Sequence, residues 1–380
     1  MKRFPASLSA KLQSRIEVNA LRQLPGSKNG VDFSSNDYLG FSRSETLFQN
    51  TQSLLSAQQN HCNGATGSRL LSGNFSLYME TEAMIAAFHR SSAALIFNSG
   101  YDANLGFFSA VPQRNDVVLY DELSHASIRD GIRLSNARSY KFLHNDLEDL
   151  ERQINRFRKE ETVIYIVTET VFSMDGDCPD LEQMALLSDR YGCFLVVDEA
   201  HALGVFGDKG EGLVQALQLE PLIFARIMTY GKGLGCHGAA ILGDQRLRDY
   251  LVNFARSFIY TTGLSPHAVA TIQAAYKMLE EERDSGIKLK ENIIHFNQVK
   301  NLLGLKPLFI RSKSAIQSAV IPGNEKVKYI ADQLGQSGFD VRPIMAPTVP
   351  EGQERLRFCL HSYNSKEEIA AVLRILNQLL

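Results

Sequence analysis

The chain has no tryptophan, no long apolar run and almost no net charge, and each absence narrows what it can be. No stretch approaches the roughly 20 consecutive apolar residues that a helix needs to cross a bilayer, so no membrane partner is expected. The start, MKRFPASLSAKLQSRIEV, lacks the apolar centre of a secretion signal, which makes the cytoplasm the expected compartment. Forty basic residues against 42 acidic ones leave a formal charge of -2. That balance argues against nucleic acid as a partner, because it provides no broad cationic surface. Cys62, Cys178, Cys193, Cys236 and Cys359 are odd in number and widely scattered. They match neither a disulfide framework nor a zinc-ligand spacing, and with no HExxH they read as structural thiols in a chain without a metal site.

What is present is length and a repeating pattern. At roughly 150 residues per domain, 380 residues suit two domains or one large domain with an appendage. The runs AALIF, DVVLYD, TVIYIV, CFLVVDE and ARIMTY are short, apolar and rich in β-branched residues, and charged helical stretches such as NDLEDLERQINRFRKE separate them. Strands alternating with helices predict an α/β fold whose central, mostly parallel sheet is covered on both faces. After FIYTTGLSPH the strand candidates SAIQSAVIP and RLRFCLH alternate with the helices KYIADQLGQSG and KEEIAAVLRILNQLL. The expected division is an N-terminal arm and substrate-facing segment over 1–45, a large domain over 46–262 and a smaller C-terminal α/β domain over 263–380. Leu8, Leu12, Ile16 and Leu21 predict an amphipathic helix over 6–24, an arm suited to another subunit, with Arg15 and Arg22 near its polar side. Pro25-Gly26 breaks the chain before VDFSSNDYLGF, where Asn36 falls in a loop.

One constellation carries chemistry. VVDEAH ends one strand run, and TYGKGLG, with Lys232 between Gly231 and Gly233, ends the next. Strand ends converge at the crevice of an α/β sheet, which lets Asp198, His201 and Lys232 meet. An unbranched amine between glycines suits a Schiff base with an aldehyde; phosphate recognition and a plain surface loop are the other roles this spacing allows. Asp198 reads as a buried carboxylate in need of a partner such as a pyridinium nitrogen, or else as the cap of the next segment. Gly233, Gly235 and Gly238 spell G-x-G-x-x-G, but the AAILG that follows reads as a strand, not as the helix that would receive a pyrophosphate.

In order along the chain stand FSSNDYLG, TGSRLLSG, FNSGYDAN, DELSHASIRDG, FSMDGD, VDEAHALGVFGDKGEG, TYGKGLG, FIYTTGLSP and APTVPEGQERLRF. Together these blocks resemble the pyridoxal-phosphate-dependent α-oxoamine synthases over nearly the whole chain. The resemblance implies a PLP-dependent aminotransferase-like large domain and the cofactor pyridoxal 5'-phosphate (PLP). It makes Lys232 the lysine that joins the cofactor and moves the substrate proton, Asp198 the partner of the pyridine nitrogen and His125 the group stacked over the ring. His201 would contact the cofactor's phenolic oxygen and the substrate region. Ser173 and Thr229 would be polar cofactor contacts, and Gly100 and Tyr101 would cradle the phosphate at a helix start. Thr261 and Thr262 would reach the phosphate from a neighbouring subunit, which implies a homodimer with shared sites. Read without the resemblance, His125 is a buried histidine or a helix cap.

On the substrate side the resemblance assigns an amino-acid carboxylate to Arg357, with Asn36 approaching from the partner subunit. Arg355 is expected to point the other way, as a surface or salt-bridge residue. Arg22 and Thr348 resemble contacts to the acyl substrate. The implied substrates are L-alanine and a pimeloyl thioester carried by coenzyme A or acyl carrier protein; family alternatives pair glycine with acetyl-CoA or succinyl-CoA, or serine with a long-chain acyl-CoA. Cys236 and His237 in GLGCHG, and Glu199 where Asp is common, depart from the family pattern.

Overall fold

The computed structural model describes residues 4–22, 24, 30–159 and 161–380; the Pro25-Gly26 break lies outside them. The chain divides into two compact units. The larger comprises Asn36–Ser173 and Asp177–Lys288; the smaller comprises Met1–Ser35, Met174–Gly176 and Leu289–Leu380.

A seven-stranded sheet runs through the larger unit. In spatial order its strands are Ala93–Phe97, Ala239–Gly243, Ala225–Thr229, Phe194–Asp198, Ile164–Glu169, Val117–Asp121 and Arg138–Phe142. Ala239–Gly243 alone runs opposite to the other six strands, so the expected α/β class and mostly parallel sheet hold. Its presence as a strand also removes the dinucleotide motif. Side chains alternate between two apolar clusters: Val118, Tyr165, Val167 and Val196 join one, while Val117, Leu119, Ile164, Ile166, Leu195 and Val197 join the other. Both faces are buried, which is why these strands read as unbroken apolar runs and not as alternating ones. Each large side chain removed from water contributes about 1.5–3 kcal/mol. The connecting helices begin where short polar side chains cap them, as at Ser99, Asp146, Asp180 and Ser265.

The smaller unit holds a three-stranded antiparallel sheet, ordered Arg342–Ile344, Arg355–Cys359 and Ile316–Val320. Phe296, Phe309 and Phe358 pack ring against ring within it. The short strand Val31–Asp32 pairs in parallel with Phe339–Asp340, so part of the expected arm is built into this unit.

Two boundaries differ from expectation. Helix Pro266–Glu281 stays with the larger unit, burying Val269, Ile272, Ala275 and Tyr276 and packing against helices Glu45–Ala57 and Ser76–Phe88. The division falls instead inside the helix Asp284–Leu302, after Lys288. The N-terminal helix is also shorter than predicted. It spans Ala6–Glu17 and buries none of its residues. Asn19 at φ 51° takes the left-handed conformation that ends helices, and Arg22 lies beyond it in non-helical chain.

Candidate active site

The parallel strands of the larger unit end, side by side, in Asp121, Glu169, Asp198 and Thr229. Lys232 follows the last of these. Its Nζ lies 2.7 Å from His201 Nε2, and His201 Nδ1 lies 2.6 Å from the Tyr38 hydroxyl. Tyr38 in turn donates to Asn36 Oδ1 at 3.2 Å. With the amine donating to Nε2, Nδ1–H donates to Tyr38 and the bonds run in one direction from Lys232 to Asn36. The glycine beside the lysine has a steric reason: a Cβ on Gly233 would meet the Leu203 carbonyl oxygen at 2.2 Å.

Asp198 is buried. Its carboxylate accepts the Ala200 N–H at 2.9 Å and the Asn104 side-chain amide at 2.9 Å, and neither donor is cationic. The same amide nitrogen donates to Ser127 Oγ at 3.0 Å, which lies 2.7 Å from His125 Nδ1. His125 caps the helix Ala126–Leu134, so the cap reading of its sequence and a place beside Asp198 are both true. Burial holds its pKa below the ordinary histidine value; the Asp198 charge pulls upward and the Lys232 charge downward. From the neighbouring strand, Glu169 accepts the His125 backbone N–H at 2.6 Å. Burial first, then the Asp198 charge, raise the Glu169 carboxyl to about 8 although Lys232 opposes them.

Gly100 opens the helix Gly100–Ala110 behind the cap Ser99. A Cβ at Gly100 would sit 2.4 Å from Thr229 Oγ1, so the absence of a side chain lets the helix start approach that hydroxyl. The first N–H groups of a helix lack partners within it and favour an anion. Two residues earlier, Asn98 donates from Nδ2 to Thr261 Oγ1 at 3.1 Å and to the Thr262 carbonyl at 2.7 Å. Tyr101 is exposed and donates to Asp130 at 2.7 Å. Ser173 closes the segment after Phe172 and is half-buried.

The remaining candidates belong to the smaller unit. Arg22 Nη2 donates to Thr348 Oγ1 at 3.2 Å, joining two residues 326 apart in sequence. Arg357 is buried on the strand Arg355–Cys359, opposite Ser318. Arg355 takes the salt-bridge reading: it is buried in an ion pair with Asp175 and does not lie at the surface. Its expected direction is a correction. Positions two apart on a strand share a face, so it does not point away from Arg357.

Tyr38, Asn104, Ser127 and Glu169 were not singled out by the sequence. Glu169 carries the same signal that marks Asp198, an acid closing an apolar strand run, and the sheet register pairs the two. Tyr38 stands inside FSSNDYLG. Asn104 and Ser127 sit within helices, and only the tertiary fold brings them to Asp198.

A strand-end crevice with a lysine, a buried carboxylate lacking a cation and a helix start beside a threonine hydroxyl has the donor set that PLP requires, and the fold and this site define a PLP-dependent enzyme. The chain belongs to the class I and II aminotransferase family, whose model matches residues 28–376, and within it to the α-oxoamine synthases. It is 41% identical over 372 residues to 8-amino-7-oxononanoate synthase of Emericella nidulans, covering 92% of this chain and 89% of the relative. Among solved structures, 8-amino-7-oxononanoate synthase from Francisella tularensis is 29% identical with a TM-score of 0.77, over 92% of this chain and 97% of that one. Serine palmitoyltransferase from S. paucimobilis, solved with a bound PLP–myriocin aldimine, is 26% identical with a TM-score of 0.87, over 98% and 96%.

Proposed function

We propose that the chain condenses L-alanine with a pimeloyl thioester of coenzyme A or acyl carrier protein, releasing carbon dioxide and the free thiol carrier and forming 8-amino-7-oxononanoate for biotin synthesis. The observation that carries this choice is the 41% identity to a synthase of that name, against 26% to serine palmitoyltransferase. The second reading, another α-oxoamine synthase with a different amino acid and acyl group, draws on the TM-score of 0.87 to the palmitoyltransferase.

Bound PLP supplies an aldehyde that takes up an amine and a ring that draws electrons from the carbon beside it. Lys232 is the base for the α-proton, and its bond to His201 aims the amine. His201 is held by Tyr38 and needs no movement to support it. Asp198, buried, would pair with the pyridine nitrogen, and His125 would stack over the ring. Gly100, Tyr101, Thr229 and Ser173 serve the phosphate and ring. Thr261 and Thr262, pinned by Asn98, add their contacts across a homodimer in the cytoplasm. Among the described residues no helix is long and apolar enough to cross a membrane. Arg357 offers two parallel N–H donors to the alanine carboxylate, which Asn36 approaches from the partner subunit, while Arg22 and Thr348, already bonded to each other, bind the acyl chain's distal end.

The test is a product assay crossing pimeloyl-CoA with alanine, glycine and serine, then the same amino acids with acetyl-, succinyl- and palmitoyl-CoA. Alanine with pimeloyl-CoA is the expected preferred pair. A clear preference for any other pair overturns the substrate reading and favours the second one.

A further inference from the structure

Glu169 is a buried acid that the chemistry above leaves without a task. It stands opposite Asp198 in the register of two neighbouring parallel strands. Two buried carboxylates on paired positions of adjacent strands disfavour each other's charge, because each raises the cost of ionising the other. The hydrogen bonds decide which one stays charged. Asp198 accepts two donors, from Ala200 and Asn104; Glu169 accepts one, the His125 backbone N–H at 2.6 Å. That donor belongs to the residue that begins the helix Ala126–Leu134 and carries the imidazole.

We propose that Glu169 is a positioning residue for the reaction: it accepts the His125 backbone N–H as a neutral acid, fixing the imidazole at the cofactor crevice while leaving the single negative charge on Asp198. The inference rests on the PLP site and not on the choice of substrate. The ionisable groups around Glu169 are Asp198, Lys232, Asp121 and His125. Its carboxyl is raised to about 8 by burial and then by Asp198, in agreement with the hydrogen-bond count. An amide oxygen can do the same accepting, whereas a methyl group cannot.

The experiment compares Glu169→Gln with Glu169→Ala in the PLP-loaded enzyme. The glutamine variant should keep kcat within about threefold of wild type, since one hydrogen bond of similar geometry survives. The alanine variant should lose on the order of 10²-fold in kcat with little change in KM, as expected when a catalytic group is misplaced by about an ångström. It should also shift the visible absorbance of the bound cofactor. Equal damage in both variants, or none in alanine, overturns the proposal.

A second arm uses the cofactor-free protein and survives poor folding of the alanine variant. A carboxyl whose folded pKa is raised holds its proton where the unfolded chain has released it, so its contribution to stability falls as pH rises from its ordinary range to about 8. Glutamine has no proton to lose. The melting temperature of Glu169→Gln should therefore gain on wild type between pH 5 and pH 8; a constant gap, or one moving the other way, overturns the neutral-acid assignment. Neither the spectral nor the melting arm involves an acyl donor, so a wrong substrate assignment leaves both readable.

Discussion

Asp198 and Glu199 are consecutive residues at one strand end, both buried, yet they sit in opposite electrostatic situations. Glu199 is fully matched. Its Oε2 meets Arg226 Nε at 2.8 Å and Nη2 at 2.5 Å, and its Oε1 accepts the Leu213 and Val214 N–H groups. Arg226 also donates to the His89 and Glu211 carbonyls. Asp198 has two neutral donors and, among the described residues, no cation bonded to it. Alternation along the strand end sends one acid into the body of the unit and the other to the crevice. The first position closes an ion pair for structure, and the second is the one that the proposed function assigns to a cofactor. Where the family pattern commonly has Asp, Glu199 is thus committed to Arg226 and the Leu213 and Val214 N–H groups.

The comparison breaks most visibly at Lys232. Lys232→Ala should reduce kcat by on the order of 10⁴-fold, because the chain loses the base for the α-proton, with a smaller effect on the urea midpoint. Retained turnover in steady-state assays would sink the proposed mechanism. Glu199→Ala should do the reverse. It strands the Arg226 guanidinium in the interior, at a cost of about 3–5 kcal/mol in urea unfolding. Replacing both residues by leucine should recover most of that loss, and a double variant no better than the single one would show that the pair is not the cause. Asp198→Asn comes third. The amide keeps the shape and removes only the charge, so kcat should fall by roughly 10²–10³-fold with stability unchanged or improved. A stability loss matching Glu199→Ala would erase the distinction between the two acids.

Much of this contrast was visible in the sequence. The unbroken apolar runs forecast strands buried on both faces, and the acid closing FLVVDEA pointed to the crevice. The small residue beside the lysine has a physical reason, since the Leu203 carbonyl leaves no room for a side chain at Gly233. What stayed hidden depends on tertiary neighbours. No spacing rule joins Asn104 to Asp198 across 94 residues, and none announces that Arg226, within an apolar strand, answers Glu199. The domain boundary was misplaced because the helix Pro266–Glu281 looks alike whichever unit it packs against. Its ten buried residues, not its periodicity, assign it to the larger one.

A third charged cluster in the larger unit allows the comparison to be sharpened by titration, with a cation that can lose its proton where Arg226 cannot. His144 places Nδ1 2.9 Å from Asp121 Oδ1 and Nε2 2.9 Å from Asp177 Oδ2, while its ring meets Phe172 edge-on at 4.5 Å. With Asp121 and Asp177 ionised, both nitrogens donate to them and the ring is an imidazolium. Burial works against that charge, but the bonds to Asp121 and Asp177 outweigh it and raise the pKa to about 9. A histidine whose folded pKa lies above its unfolded value of about 6.5 contributes its full stability below the lower number and loses it as pH rises through the higher one. The stability difference between wild type and His144→Gln should therefore be largest near pH 6 and shrink toward pH 10, whereas the corresponding difference for Glu199→Ala should persist because Arg226 keeps its charge over that range. Urea unfolding of both variants at pH 6, 8 and 10 reads the two slopes directly. A flat His144 difference would mean that the ring is held by shape and neutral hydrogen bonds, not as a cation between two carboxylates.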